Sequence, residues 1–176
     1  MATSPVAVLI VRILTLVFLL ASLILITTNT VTLPDFGGVK IKLKFHHFTA
    51  YRYLAATLIL GLAYTLLQTA FAISQACTGK SIGGERFSEF VFFGDKVVSY
   101  LLATGAAASL AITQELKKQN HTIKNYKMGM NETYVEDDDM DKFANKASVA
   151  ARLCLIGFFF AATSSVFSSY ALPKRA

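Results

Sequence analysis

Four apolar blocks, at about 6–28, 53–74, 91–113 and 153–172, constrain this chain more than any other feature. Each is close to the ~20 residues that a helix needs to cross ~30 Å of hydrocarbon. Backbone polar groups in lipid must be satisfied within the segment, so isolated blocks of this length cross as helices. Four such blocks and three connections use nearly all of the 176 residues. The expectation is an all-α membrane protein: one four-helix transmembrane bundle occupying 1–176. Connections of about 29–52 and 114–152 lie on one side of the membrane and about 75–90 on the other. The first block reads as a retained span and not as a signal peptide. Apolar residues precede Arg12 as well as follow it, and Thr27-Thr28-Asn29-Thr30 closes the run with no small-x-small cleavage pattern.

Composition agrees: 54% of residues are hydrophobic and only 16% charged, outside the usual soluble range. The net charge of +6 is scattered over connections and membrane borders. It makes no aromatic-interleaved basic face, so no nucleic acid is expected as a partner; membrane lipids are. Within the first connection, Val39 to Phe45 alternates apolar residues with lysine, which predicts a short extended segment. Orientation is contested. The first and third connections with their borders hold eleven of the seventeen Lys and Arg residues, which would place them in the cytoplasm. Yet the third carries two N-glycosylation sequons, at Asn120 and Asn131.

Two charges stand inside the spans. Arg12 lies about six residues into the first, roughly 9 Å deep at the helical rise, and Asp95 lies a similar distance into the third. First and third spans run parallel in any four-pass chain, so both charges share one level on one side. An arginine near a span centre costs ~2.5–3.5 kcal/mol to insert, and an intramembrane ion pair between Arg12 and Asp95 would offset much of that. The alternative is that Arg12 snorkels to the headgroups; an aspartate cannot reach far. The second and fourth spans run the other way and bring Gln68, with Tyr64 one turn deeper, and Thr163, Ser164 and Ser165 to the same level. All four helices thus offer members of a supporting polar layer. Small residues recur at four-residue spacing as Ser99, Ala103 and Ala107, and as Gly157, Ala161, Ser165 and Ser169. These are faces for helix packing or for an oligomer interface.

Other features carry less. Cys154 reads as a small packed hydrophobe, and Cys77, just past the second span, is a candidate palmitoylation site. Thr78-Gly79-Lys80-Ser81 resembles part of a phosphate-binding loop, but Ser74 stands where that loop requires glycine. The acidic run Glu136–Asp139 lacks the glycine and closing glutamate of a calcium loop. His46, His47 and His121 have no metal-ligand spacing. No catalytic constellation is present; no enzyme activity, metal or cofactor is expected.

Several stretches resemble a known family. The arginine early in the first span, "YRYLAATLILGLAYTLLQ", "FFGDKVVSYLLATGAAAS" and "DKFANKASVAARLCLIGFFFA" are similar to segments of the CASP-like proteins, plant membrane proteins related to the Casparian strip membrane domain proteins. The resemblance covers roughly residues 8–172. It implies a MARVEL-like four-pass bundle in the plasma membrane with both termini cytoplasmic, and it maps the family's intramembrane arginine and aspartate onto Arg12 and Asp95. It also implies homo-oligomers and hetero-oligomers with related four-span proteins, and a scaffold role that recruits extracellular or cell-wall partners. The first connection lacks the founding group's compact aromatic signature and the third contains no cysteine. What is implied is therefore a general membrane scaffold and not a place in the Casparian strip itself. The competing reading, from another class, is a small transporter or channel component using the Arg12/Asp95 layer. A vesicle trafficking adaptor is a third.

Overall fold

The structure, a computed structural model, describes residues 5–34, 40–78, 85–129 and 137–170. Within these, side chains are described for 8–32, 42–74, 91–123, 125 and 139–166. Helices α1 (Pro5–Thr27), α2 (Thr49–Thr78), α3 (Glu85–Gly129) and α4 (Asp137–Tyr170) make up most of the chain. All four are long and apolar enough to cross a membrane, over Val8–Thr27, Thr49–Ser74, Val91–Ile123 and Asp139–Val166. The four-helix membrane bundle follows. Its outside is as apolar as its inside: Ile10, Ile13, Val17, Leu20 and Ile24 of α1 are all exposed, as are Leu66 and Leu67 of α2 and Phe159 of α4. Such a belt is stable only against hydrocarbon.

Each helix packs on its chain neighbours, α1 on α2, α2 on α3 and α3 on α4, and α4 closes the ring on α1. α1 and α3 therefore stand on opposite corners. Close approach depends on small residues. A Cβ on Gly157 would sit 2.9 Å from Leu19 Cδ2, and one on Gly105 would strike the Thr57 hydroxyl. Bulk at either position would part α4 from α1 or α3 from α2.

Between α1 and α2 the chain forms an antiparallel hairpin. β1 (Thr30–Pro34) pairs with β2 (Lys40–Lys44) in the register Thr30↔Lys44, Val31↔Leu43 and Thr32↔Lys42. The alternating lysine stretch is thus extended, as its pattern predicts, and Thr30–Pro34 is its partner. Strand alternation turns Val31 and Leu43 onto the core while Lys42 and Lys44 stay exposed. A short 3-10 turn (Phe45–His47) leads into α2, where buried Tyr51 stacks edge-on with Phe48 and Phe143 and shares a 3.0 Å hydrogen bond with Thr113.

Two boundaries differ from the sequence reading. The third connection, placed at about 114–152, is mostly helix: α3 runs on to Gly129 and α4 begins at Asp137. The fourth span also enters the bundle earlier than residue 153. Ser22 Oγ donates to the Ala150 carbonyl at 2.7 Å and Asn29 Nδ2 to the Phe143 carbonyl at 2.9 Å. Residues 143–150 are therefore level with the last two turns of α1. Hydropathy averaging hides this because Lys146 and Arg152 face outward while Ala144, Ala147, Ala150 and Ala151 are buried. α4's side chains lean toward its N-terminal end, letting those cations reach the interface.

Candidate functional site

At the end of the bundle where α1 and α3 begin, residues of all four helices line one cavity of about 20 Å³, room for a single water molecule. Its wall includes Arg12 and Thr15 from α1, Tyr64, Thr65 and Gln68 from α2, Asp95 from α3 and Ser164 from α4. Arg12 and Asp95 are each only 7% exposed. They come from opposite corners of the ring, and the Asp95 carboxylate acts electrostatically on the Arg12 guanidinium.

Hydrogen bonds lace the neighbouring helices at this level. Arg12 Nη1 donates to the main-chain carbonyl of Gln68 at 2.8 Å, joining α1 to α2. Gln68 Nε2 donates to the Tyr64 hydroxyl at 2.7 Å, and Tyr64 donates to the Val91 carbonyl at 2.9 Å, joining α2 to α3. The same hydroxyl lies within hydrogen-bonding reach of Asp95. The Tyr64 ring can lie there because residue 94 is glycine: a Cβ would sit 2.5 Å from the Tyr64 oxygen and 2.8 Å from a ring carbon. Thr15, Thr65, Thr69 and Ser99 turn their hydroxyls back onto carbonyls four residues earlier, at 2.7–2.9 Å. That habit satisfies a hydroxyl in apolar surroundings without another helix.

Two turns inward the described packing is apolar. Seven residues from Arg12, Gln68, Asp95 and Ser164, about 10 Å at the helical rise, stand Leu19, Gly61, Leu102 and Gly157. These four meet one another. Leu19 and Leu102 are fully buried and occupy the space a Cβ on Gly61 would need, and Leu19 fills the notch left by Gly157. Cys154 is fully buried beside them, its Sγ 3.6 Å from the Leu102 carbonyl.

The structure thus brings Arg12, Asp95, Tyr64, Gln68 and Ser164 together, and adds Thr15 and Thr65, which sequence did not single out. It corrects others. Thr163 is exposed and bonds the Phe159 carbonyl of its own helix, so it faces lipid and not the layer. Neighbouring helix residues point about 100° apart, which is why Ser164 enters and Thr163 does not. Ser165 is buried but does not line the cavity, whereas Ala161 does, and Gly157 packs against Leu19 of α1. Gly157 is thus occupied in packing within the bundle. Along α3, Ser99 is buried, Ala103 half-buried and Ala107 exposed, so the three do not share one environment. Asn120 is also corrected as a glycan acceptor: it is 7% exposed within α3, and its amide nitrogen donates to Asp141 Oδ1 at 2.9 Å. Lys96 is exposed, over the Phe92 ring at 4.3 Å. His46 and His47 stack on the 3-10 turn, while His121 bonds Asn125 on α3. Asn131 lies outside the described residues, and the side chains of Cys77 and Ser169 lie outside those described.

Comparison with known proteins gives a consistent result. The family model of the Casparian strip membrane protein domain matches residues 2–160. The chain is similar to CASP-like protein 4D1 of Ricinus communis, at 46% identity over 98% of this chain and 94% of that protein. It is also similar to CASP-like protein 4D1 of Populus trichocarpa, at 42% identity over 93% and 85%, and to CASP-like protein 4D2 of Arabidopsis thaliana, at 38% over 95% and 90%. No solved structure gives a significant match.

Proposed function

The chain belongs to the CASP-like family of multi-pass membrane proteins, not a known enzyme family, and from that premise we propose that it is a non-enzymatic plasma-membrane scaffold. In this reading it self-associates laterally, with itself and with related four-span proteins, and organises a membrane domain to which extracellular or cell-wall partners are recruited. Both termini lie in the cytoplasm, which sets the hairpin and the α3–α4 connection outside.

The observation that carries the reading is the apolar plug directly beneath the polar layer. A carrier or channel needs a wet path or a site near the bilayer midplane. Here the charged groups sit near one face, Arg12 tied to the Gln68 carbonyl, and Leu19 and Leu102 close the level below. An arrangement of that kind fixes helix positions and transmits nothing across the membrane. The ion pair is then a structural device: it sets the register of opposite corners at one depth, so that the bundle presents one rigid outer surface to its neighbours.

Fluorescence recovery after bleaching of a tagged copy in plant plasma membrane tests the scaffold. Slow, incomplete recovery in patches is expected. Rapid and complete recovery would remove the lattice, and ion flux above that of empty liposomes after reconstitution would favour the transport reading instead.

A further inference from the structure

We propose that the outer face of α4 around Arg152 is a binding site for the phosphate of an anionic phospholipid, in the leaflet at the end of the bundle where α1 ends and α4 begins.

Depth is fixed by two hydrogen bonds. Ser22 meets Ala150 and Asn29 meets Phe143, so seven residues of α1 run level with seven of α4 in the opposite direction. Arg152 is then level with Leu20, about 10 Å inside Thr27, where the α1 span ends. Yet Arg152 is exposed. Val149, Ile156 and Phe159, three, four and seven residues away on the same side of the helix, are exposed too, so this face looks onto lipid. A lipid-facing cation at that depth needs a counter-charge.

The neighbouring helices do not supply one. α1 contains no Asp or Glu, and α4 contains none after Asp141, eleven residues or about 16 Å before Arg152. The acids with described side chains are engaged elsewhere: Asp95 in the Arg12 cavity, Glu115 with Gln119, Asp139 with Lys142 and Asp141 with Asn120. Among the described residues neither Arg152 nor Lys146 forms an ion pair or a hydrogen bond.

A helical side chain covers the turn before its own Cα, which carries the Arg152 guanidinium about 5 Å toward the border. Asn145, two turns before Arg152 on the same side, is level with Thr27, and Lys146 is one residue deeper; both are exposed. Guanidinium, amide and ammonium thus surround Val149 at the inner margin of the headgroup layer. Such a group of N–H donors suits a phosphate, which can accept a fork from arginine. Two positive charges favour a lipid of net negative charge over a zwitterion, whose ammonium they repel. The guanidinium stops about 5 Å short of Thr27, so a bound headgroup is drawn inward and the leaflet thins beside α4.

Native mass spectrometry of the full chain tests the site. Titration in neutral detergent with phosphatidylglycerol or phosphatidylcholine of matched acyl chains reads the affinity for the first bound lipid. Wild type should prefer phosphatidylglycerol. R152Q should cut that preference about fivefold, the worth of one cation beside an anionic headgroup, and K146Q/R152Q about fivefold again. K96Q, at the other end of the bundle, should leave it intact. Equal affinity of wild type for the two lipids would overturn the site. So would an equal fall in K96Q, which would reduce the attraction to net charge. Equal loss of both lipids in R152Q would make Arg152 a packing residue, and release of phosphatidylglycerol by inorganic phosphate would make this a plain anion site; either result overturns the lipid assignment. A dimer that R152Q dissociates would give the face to a second copy of the chain instead.

Discussion

Removing both charges of the Arg12–Asp95 pair should cost less than the two single removals added together. Asp95→Ala leaves a guanidinium that is 7% exposed and bonded to the neutral Gln68 carbonyl. Breaking a buried pair from one side costs ~3–5 kcal/mol because the other charge is stranded; an unpartnered arginine well inside a span costs ~2.5–3.5 kcal/mol by insertion. The two figures agree on about 3 kcal/mol. Arg12→Ala strands the carboxylate in turn, with the Tyr64 hydroxyl in reach, and should cost about as much. The double variant strands nothing. Its loss should fall short of the sum of the singles by about 2 kcal/mol, within the range of coupled neighbours. The exchanged pair R12D/D95R should recover part of the loss and not all, because an aspartate at position 12 cannot donate to the Gln68 carbonyl. Reversible unfolding of the purified protein in bicelles, as a double-mutant cycle, measures these terms. If the single effects add to within about 0.5 kcal/mol, the charges do not act on each other and the structural role of the pair is refuted.

Two further outcomes follow from single contacts. Gly94→Ala should displace the Tyr64 ring, since the new Cβ would lie 2.5 Å from its oxygen; overpacking of this kind costs ~1–3 kcal/mol. A melting temperature equal to wild type would show that the ring is not held as described. Asn120→Gln should leave gel mobility unchanged with or without glycosidase, while loss of the Asp141 bond lowers stability by about 1 kcal/mol. A glycosidase-sensitive band that vanishes in this variant would show that the amide is free to be modified.

The four crossings were legible in the sequence because bilayer thickness demands about twenty apolar residues per helix, and a chain this short has few other uses for them. The common level of Arg12, Asp95, Gln68 and Ser164, with Tyr64 one turn deeper, was legible for an equally simple reason: antiparallel alternation and a fixed rise per residue convert position into depth. What depth does not give is direction. In water a buried face announces itself by hydrophobic periodicity; in lipid the outer face is as apolar as the inner one, and the signal is lost. Thr163 and Ser164 were therefore indistinguishable until packing turned one to lipid and the other to the cavity. The same loss hid the Leu19–Gly61–Leu102–Gly157 plug and the space Gly94 leaves for Tyr64, which are matters of which surfaces touch. It also blurred the fourth span, where outward cations and inward alanines alternate around one helix from Phe143 onward. Sequence determined how many helices cross and how deep each polar group lies; tertiary structure alone decided which of those groups meet.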